Sequence, residues 1–486
     1  MGKLLEGTDG CFVLMAMLQT GSEIELEVQT TAEKGRGVAK VDGFVVFVRN
    51  AIPGDRVLAR IVKSRRNFAE AVSVKLLVPS PQRVEPRCRY FGVCGGCEWQ
   101  NLSYEAQLKL KQHRVEDVFN HIGGFKNLEV KPTLGSGDIY FYRNKMEFSF
   151  SHRRWLTAEE IATGEELRRG FALGLHVANR YDKVIDIHEC WLQSELSNRI
   201  VNAVRDWALA HSVPVYQPDR EEGYLRFLVV RQSTATSEVM VNLVTYEDRP
   251  EVAQSLCDEL GRKVDRVTTF VNTVNRRKAQ IAYGDFQRIH LGTGTISERL
   301  SDFSFRISAN SFFQTNTCQA EQLCSIVREF GELQRNDVVY DLYSGAGTLS
   351  IFISAAVSKI VGIEVLATAV EDARWNADLN GITNCVFVKG DVKETFVEDR
   401  SLRDEQGEPS VLILDPPRSG IHPKLAQDLA RTGPRRIVYV GCNPSTQARD
   451  LKVLCEGGYS IDILQPVDMF PHTDHIESIA RLTRSS

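Results

Sequence analysis

No stretch of this 486-residue chain stays apolar for the roughly 18 residues that a membrane-crossing helix needs. Neither sign of charge dominates. There are 59 Lys and Arg against 63 Asp and Glu, a formal net charge of −4. That balance excludes a molecule basic all over, so any basic surface for nucleic acid must be local. No internal repeat or low-complexity tract is apparent, which argues against a solenoid. The apolar octet at residues 11–18 follows Glu6 and Asp9 and lacks a clear cleavage site after it, so a secretory signal is not expected. The 11 cysteines are odd in number and scattered, unlike a small disulfide scaffold. They point to a reducing compartment and to metal-binding or catalytic thiols. The cytoplasm is expected, or an organelle stroma or matrix if a precursor segment is missing.

What is present suggests two to four domains. Residues 1–20 read as a tail. Short β-rich runs follow at residues 24–28, 43–48, 56–62 and 68–74, separated by Gly35, Gly37, Gly43 and Pro53-Gly54-Asp55. Strands at this spacing predict a small OB-like barrel over residues 20–78. Residues 24–78 hold ten Lys and Arg against six Asp and Glu, a mild basic excess suited to an RNA backbone. Lys34-Gly-Arg-Gly-Val-Ala-Lys40 and the later Pro-Gly-Asp resemble the TRAM domain, an RNA-binding barrel attached to RNA-modifying enzymes.

A Pro79-Ser-Pro81 linker opens a middle region, residues 79–310. Cys88, Cys94 and Cys97 stand within ten residues, with two glycines between the last two. Thiolates so close repel unless a metal neutralises them. Cys190 is the best-placed fourth ligand. Zinc would fit four thiolates, but three clustered cysteines and one distant one look more like a [4Fe–4S] site. Residues 104–119 show helical spacing, and residues 140–150 alternate like a strand. Arg143, Asn144 and Lys145 near that strand's start are candidates for RNA phosphate contacts, with a solvated strand end as the plain alternative. Residues 153–170 are charged and read as a surface insertion or loop. Strand-like runs at 225–231, 239–245, 267–272 and 303–307, with at least two helices, predict an α+β domain without a catalytic signature of its own.

From about Ser311 to the end, strand and helix patterns alternate, as in a doubly wound α/β sheet. Asp337-Val-Val-Tyr-Asp-Leu-Tyr-Ser-Gly-Ala-Gly-Thr348 reads as strand, glycine turn and helix start. The missing third glycine and missing P-loop lysine argue against NAD and ATP. The next strands end in Glu364, Asp391 and Asp415. Glu364 is placed for two ribose hydroxyls and Asp391 for the adenine side. Four successive strand ends of this kind predict a Rossmann-like domain with an S-adenosylmethionine pocket. The fifth strand, residues 437–440, ends at Gly441, and Cys442 stands at its carboxyl end, where open α/β sheets put their ligands. Alone, such a cysteine is most often a small core hydrophobe.

Ser311-Phe-Phe-Gln-Thr-Asn316, Asp341-Leu-Tyr-Ser-Gly-Ala-Gly347, Asp415-Pro-Pro-Arg418, Gly441-Cys-Asn-Pro444 and Phe470-Pro-His-Thr-Asp-His-Ile-Glu477 together resemble the RNA uracil-5-methyltransferase family. The TRAM-like barrel and the four cysteines match its iron–sulfur members in order, so the resemblance spans nearly the whole chain. It implies that Cys442 is the nucleophile adding to uracil C6 and that Glu477 is the base, a carboxylate ionised near neutral pH. It implies that Gln314, Tyr343, Glu364, Asp391 and Asp415 contact the cofactor, with Asp415 also near the uracil edge. The target base must leave its stack, and Phe312-Phe313 is a candidate stacking surface or a pair of core aromatics. His472 and His475 are expected to be structural or hydrogen-bonding. By resemblance the cysteines favour ribosomal RNA as substrate, with transfer RNA as the alternative. A monomer without an obligate protein partner is expected. The competing readings are an N-methyltransferase sharing the Asp-Pro-Pro motif and a non-catalytic RNA-binding iron–sulfur factor.

Overall fold

The computed structural model describes residues 18–164, 167 and 169–484. Most of the expected N-terminal tail with its apolar octet, and part of the charged stretch 153–170, lie outside these. By packing, the chain divides into two units. One holds the residues up to Lys111 together with Phe470–Asp474; the other holds Gln112–Met469 and the chain from His475 on.

In the first unit, six strands form one sheet: β1 (Glu23–Glu27), β2 (Thr30–Ala32), β3 (Arg36–Val41), β4 (Phe44–Arg49), β5 (Arg56–Ser64) and β6 (Phe68–Val78), in the order β1-β5-β6-β4-β3-β2. Alternate residues point inward, and the small side chains of Ala39, Ala59, Ala69 and Ala71 let the strands close tightly around Val46, Val48 and Val57. Asp55 is fully buried in the Pro-Gly-Asp turn. It accepts from the backbone N–H of Ile52 and Ser80, both at 2.9 Å, and pairs with Arg83. That pairing ties the barrel to the segment leading to the cysteines. The unit ends within α1 (Tyr104–Val118).

The second unit contains an eight-stranded sheet and a seven-stranded sheet. The former comprises β7 (Lys145–Ser151), β8 (Arg154–Trp155), β9 (Ala172–Val177), β10 (Arg180–Asp186), β11 (Leu225–Gln232), β12 (Val239–Thr245), β13 (Thr269–Val274) and β14 (Phe286–Leu291). Helices α2 (Ala158–Ala162), α3 (Glu195–Ala210) and α4 (Pro250–Lys263) punctuate it, and the hairpin β15 (Thr295–Leu300) and β16 (Phe303–Ser308) follows. The charged stretch thus holds a short strand and a one-turn helix, whose start is fixed by a Thr157–Glu160 capping box.

The seven-stranded sheet follows α5 (Thr317–Gly331). Its elements are β17 (Val338–Leu342), α6 (Thr348–Ile353), β18 (Lys359–Glu364), α7 (Ala367–Leu379), β19 (Cys385–Lys389), α8 (Ser401–Gln406), β20 (Val411–Leu414), α9 (Pro423–Thr432), β21 (Arg436–Gly441), α10 (Pro444–Glu456), β22 (Tyr459–Val467) and β23 (Glu477–Arg484). The order is β19-β18-β17-β20-β21-β23-β22; β17 to β21 pair in parallel, and β23 runs antiparallel to both neighbours. Helices cover both faces of the parallel strands, which is why those strands are mainly apolar, with the buried Asp341 an exception in β17. Val361, Leu412 and Ile437 are wholly buried among them, each contributing about 1.5–3 kcal/mol.

Candidate active site

The parallel strands end at one edge of the sheet, and the expected residues gather there. β17 leads into Tyr343, whose φ of 73° is left-handed, and then into the glycine turn, with φ of 53° at Gly345 and 78° at Gly347. A Cβ at Gly347 would stand 2.9 Å from the Phe387 ring and 3.0 Å from Ala373, so glycine is needed for space as well as conformation. Glu364 closes β18. One carboxylate oxygen accepts from Gly345 N–H at 3.1 Å and the other from Leu366 N–H at 2.9 Å, so the acid is braced by the glycine turn itself. Asp391 accepts from the backbone N–H groups of Lys393 (2.9 Å) and Glu394 (3.3 Å), and its other oxygen has no hydrogen bond among those described.

Sequence reasoning missed three features of this edge. Val365 and Leu366 are 57% and 62% exposed beside Glu364, an apolar shelf unusual at a strand end. Asp341 is wholly buried and donates nothing; it accepts from Ser350 Oγ at 2.6 Å, and burial followed by the nearby Glu364 charge pushes its carboxyl up to about 6. Asp341 Oδ1 and Ser344 Oγ are buried without a hydrogen-bond partner among the described residues. Backbone-braced acid, apolar shelf and two unsatisfied polar atoms fit a ligand with ribose hydroxyls, a flat base and an amino-acid end, the parts of S-adenosylmethionine.

Asp415 follows β20. Cys442 follows β21, half-buried. The β21–β23 register pairs Gly441 with Ser478, so the next position across the ladder sets Cys442 opposite Glu477. The register therefore brings together two residues 35 positions apart that the sequence could only associate by motif. Desolvation pushes the Cys442 thiol up to about 11, helped by the Glu477 and Asp415 charges and opposed by Arg418. Burial pushes Asp415 up to about 7, with Asp341 adding to it. Glu477 is raised well above the carboxylate range, first by burial and then by Asp415. Arg418 opposes this rise, so the expected carboxylate form of Glu477 is disfavoured by burial and by Asp415 and favoured by that one guanidinium.

The surroundings are tied together by hydrogen bonds. Gln447, fully buried on α10, donates to Tyr439 O (3.1 Å) and Ser478 O (2.9 Å) and accepts from the Ser478 hydroxyl. It ties β21 to β23 next to the cysteine–glutamate pair, and a Cβ at Gly441 would stand 2.8 Å from its amide carbon. No periodicity could have revealed that brace. Asp450 accepts from Tyr439 OH (2.7 Å) and Ile421 N–H (2.9 Å), fixing the loop after Asp415-Pro-Pro.

The loop carrying Gln314 is held by its backbone. Asn144 Nδ2 donates to Gln314 O and Asn144 N–H to Thr315 O, each at 2.8 Å; Arg231, also buried, donates to Ser311 O. Asn144 is therefore committed within the protein and not to phosphate. Lys145 pairs with Glu147. Phe313 packs in the core 5.9 Å from Phe305, whereas Phe312 is 66% exposed, so one ring of the pair is left for stacking.

In the first unit, Gln100 links two of the clustered cysteines. It accepts from Cys88 N–H at 3.2 Å and donates to Cys97 Sγ at 3.3 Å, a contact that favours a thiolate. Cys190 belongs to the second unit and is buried, its N–H donating to Asn198 Oδ1 at 2.9 Å. Among the described residues no group of three or more His, Cys, Asp or Glu side chains forms a ready-made metal site. On the barrel, Arg36 lies 4.6 Å over the Phe47 ring, which meets Phe68 edge-on at 5.6 Å. This is a cationic, aromatic surface of the kind that binds single-stranded nucleic acid.

Residues 217–485 match the tRNA (uracil-5-)-methyltransferase family, and residues 18–74 match the TRAM domain. The chain belongs to the tRNA (uracil-5-)-methyltransferase family. Among its relatives is an RNA methyltransferase of Chlorobaculum tepidum, 42% identical over 96% of this chain and 97% of the relative. Another, from Bacteroides thetaiotaomicron, is 40% identical over 93% of this chain and 99% of the relative. The crystal structure of Pyrococcus abyssi tRNA (uracil-54, C5)-methyltransferase in complex with S-adenosyl-L-homocysteine matches with a TM-score of 0.74 at 30% identity, covering 95% of this chain and 100% of that one. This methyltransferase is thus an S-adenosylmethionine-dependent RNA enzyme of the uracil-5 family, with the barrel and α/β sheet expected from its sequence.

Proposed function

We propose that the enzyme methylates C5 of a uridine in large-subunit ribosomal RNA through a covalent bond between Cys442 and C6. The observation that carries the chemistry is the β21–β23 register, which sets the thiol opposite a buried carboxyl at the sheet edge holding the cofactor residues. Glu364, Asp391, Tyr343, Gln314 and Asp415, with the Val365 shelf, would hold S-adenosylmethionine. When bound, it supplies the methyl group and a positive sulfonium that offsets the neighbouring carboxylates. Cys442 gives its proton to solvent and the thiolate sulfur bonds to C6, moving the ring electrons to O4 as an enolate. C5 would then take the methyl group, the S–CH3 bond breaking to leave a neutral thioether, and would briefly carry both methyl and hydrogen. Glu477, as its carboxylate, removes the C5 proton; the C5–C6 double bond re-forms and the sulfur leaves. Phe312 offers the flipped base a stacking face.

A uridine in transfer RNA is the second reading, favoured by the transfer-RNA activity of the solved Pyrococcus relative. One experiment tests the chemistry and separates the substrates. Incubated with S-adenosylmethionine and total RNA containing 5-fluorouridine, the enzyme should form an adduct that cannot resolve, because fluorine cannot leave C5 as a cation. Sequencing the attached RNA identifies the uridine. Turnover on ordinary RNA with no adduct to the fluorinated RNA would rule out the covalent route.

We also propose that Cys88, Cys94, Cys97 and Cys190 ligate a [4Fe–4S] cluster. The cysteine spacing and the Gln100 amide donating to Cys97 support this reading. Protein purified without oxygen should contain about four iron and four labile sulfide per chain. Cys94→Ser should lose both. Stoichiometric zinc without sulfide would overturn the assignment.

A further inference from the structure

Phe470–Asp474 packs with the first unit although the chain on either side belongs to the second. Its anchors are specific. His472 O accepts from Glu98 N–H (2.9 Å) and Trp99 N–H (3.0 Å), the two residues directly after Cys97. His472 N–H donates to Gln107 Oε1 at 2.9 Å, and Gln107 Nε2 lies 3.2 Å from His472 Nδ1 while also donating to Trp99 O and Leu102 O. Gln107 is fully buried, so each of these bonds is made away from water. Lys111 Nζ donates to Phe470 O at 3.1 Å, and the barrel's Lys34 N–H donates to Asp474 Oδ2 at 2.6 Å. The barrel turn also presses on the cysteine loop: a Cβ at Gly35, where φ is +62°, would stand 2.4 Å from Glu98 Cβ. His472 itself has a left-handed φ of 67°, a conformation that these flanking bonds hold in place. Three residues beyond Asp474 the chain reaches Glu477.

We infer that the loop after Cys97, Gln107 and the barrel turn at Lys34-Gly35 position the segment that delivers Glu477, so that the N-terminal unit governs resolution of the covalent intermediate. This rests on Glu477 being the base. Gln107, Glu98 and Gly35 touch neither substrate nor cofactor in this scheme. They are positioning residues, acting through five residues of backbone. It follows that loosening the cysteine loop should slow removal of the C5 proton more than it slows cofactor binding or attack by Cys442.

The test is single-turnover reaction of the full-length enzyme with S-adenosylmethionine and ordinary uridine RNA, following the protein–RNA adduct on denaturing gels and methyl incorporation in the same samples. Three variants are compared: Gln107→Leu, Gly35→Ala and, as reference, Glu477→Gln. Gly35→Ala alters a barrel turn and guards against a Gln107→Leu chain that fails to fold. The expected result is adduct resolution slowed at least tenfold in a folded positioning variant, with methyl incorporation into the adduct and S-adenosylmethionine affinity within twofold of the parent. Folded variants that resolve the adduct at the parental rate overturn the inference, as does loss of cofactor binding and adduct formation in equal proportion. If Glu477→Gln resolves its adduct normally, the assignment of the base itself has failed.

Discussion

Cys442→Ala is expected to lower methyl transfer to RNA by at least about 10⁴-fold, the scale on which an essential nucleophile acts. S-adenosylmethionine affinity should stay within about twofold, because no other atom of the cofactor edge is removed. Stability should change by less than about 1 kcal/mol, since the thiol is only half-buried and its loss opens little cavity. The same sulfur gives a second readout. In cofactor-free protein the thiol is pushed up to about 11 by desolvation first and by Glu477 and Asp415 next. Only the thiolate reacts with iodoacetamide, so alkylation at Cys442, followed by peptide mass spectrometry, should rise about tenfold per pH unit from pH 8 to 10. A pH-independent rate, or an alanine variant keeping more than about 1% of activity, would remove Cys442 from the reaction.

The part of this molecule most legible in its sequence is the parallel sheet. Strands buried on both faces must be mainly apolar, so residues 338–342, 360–363 and 411–414 announce themselves despite the buried Asp341, and the turns that follow them mark the ligand edge. Glu364, Asp391, Asp415 and Cys442 were therefore visible as candidates without any knowledge of strand order. Glu477 was not visible on those terms. It opens an antiparallel strand, and only the pairing of Gly441 with Ser478 sets it opposite Cys442. Side-chain braces were illegible for a different reason. Gln447 and Gln107 are single polar residues on helices, and nothing in local spacing distinguishes a buried amide that satisfies two or three backbone groups from one in solvent. The excursion of residues 470–474 into the first unit was hidden too, because it is built from backbone carbonyls and amides that every residue carries. Asn144 shows the converse error: a polar residue at a strand end looked available to RNA, yet its amide is spent on Gln314 and Thr317.

Glu477→Gln should separate bond making from bond breaking. The carboxyl is buried and raised well above its ordinary range, by desolvation first, then by Asp415 and against Arg418. Glutamine is nearly the same shape and burial already disfavours the charged form of the acid, so folding and cofactor affinity should barely change, within about 1 kcal/mol. Thiol attack should survive, because a neutral amide places no negative charge beside Cys442. The amide cannot accept the C5 proton. One methyl group per active site should therefore be transferred, after which the enzyme stays bonded to its RNA, with turnover down about 10²–10⁴-fold. Parental turnover at saturating substrates should rise with pH as the base ionises, and the residual rate of the variant should lack that limb. Glutamine variants that turn over within about threefold of the parent, with no methylated adduct on a denaturing gel, would show that another group takes the proton; Asp415, pushed up to about 7 and within electrostatic reach of Cys442, would be the group to replace next.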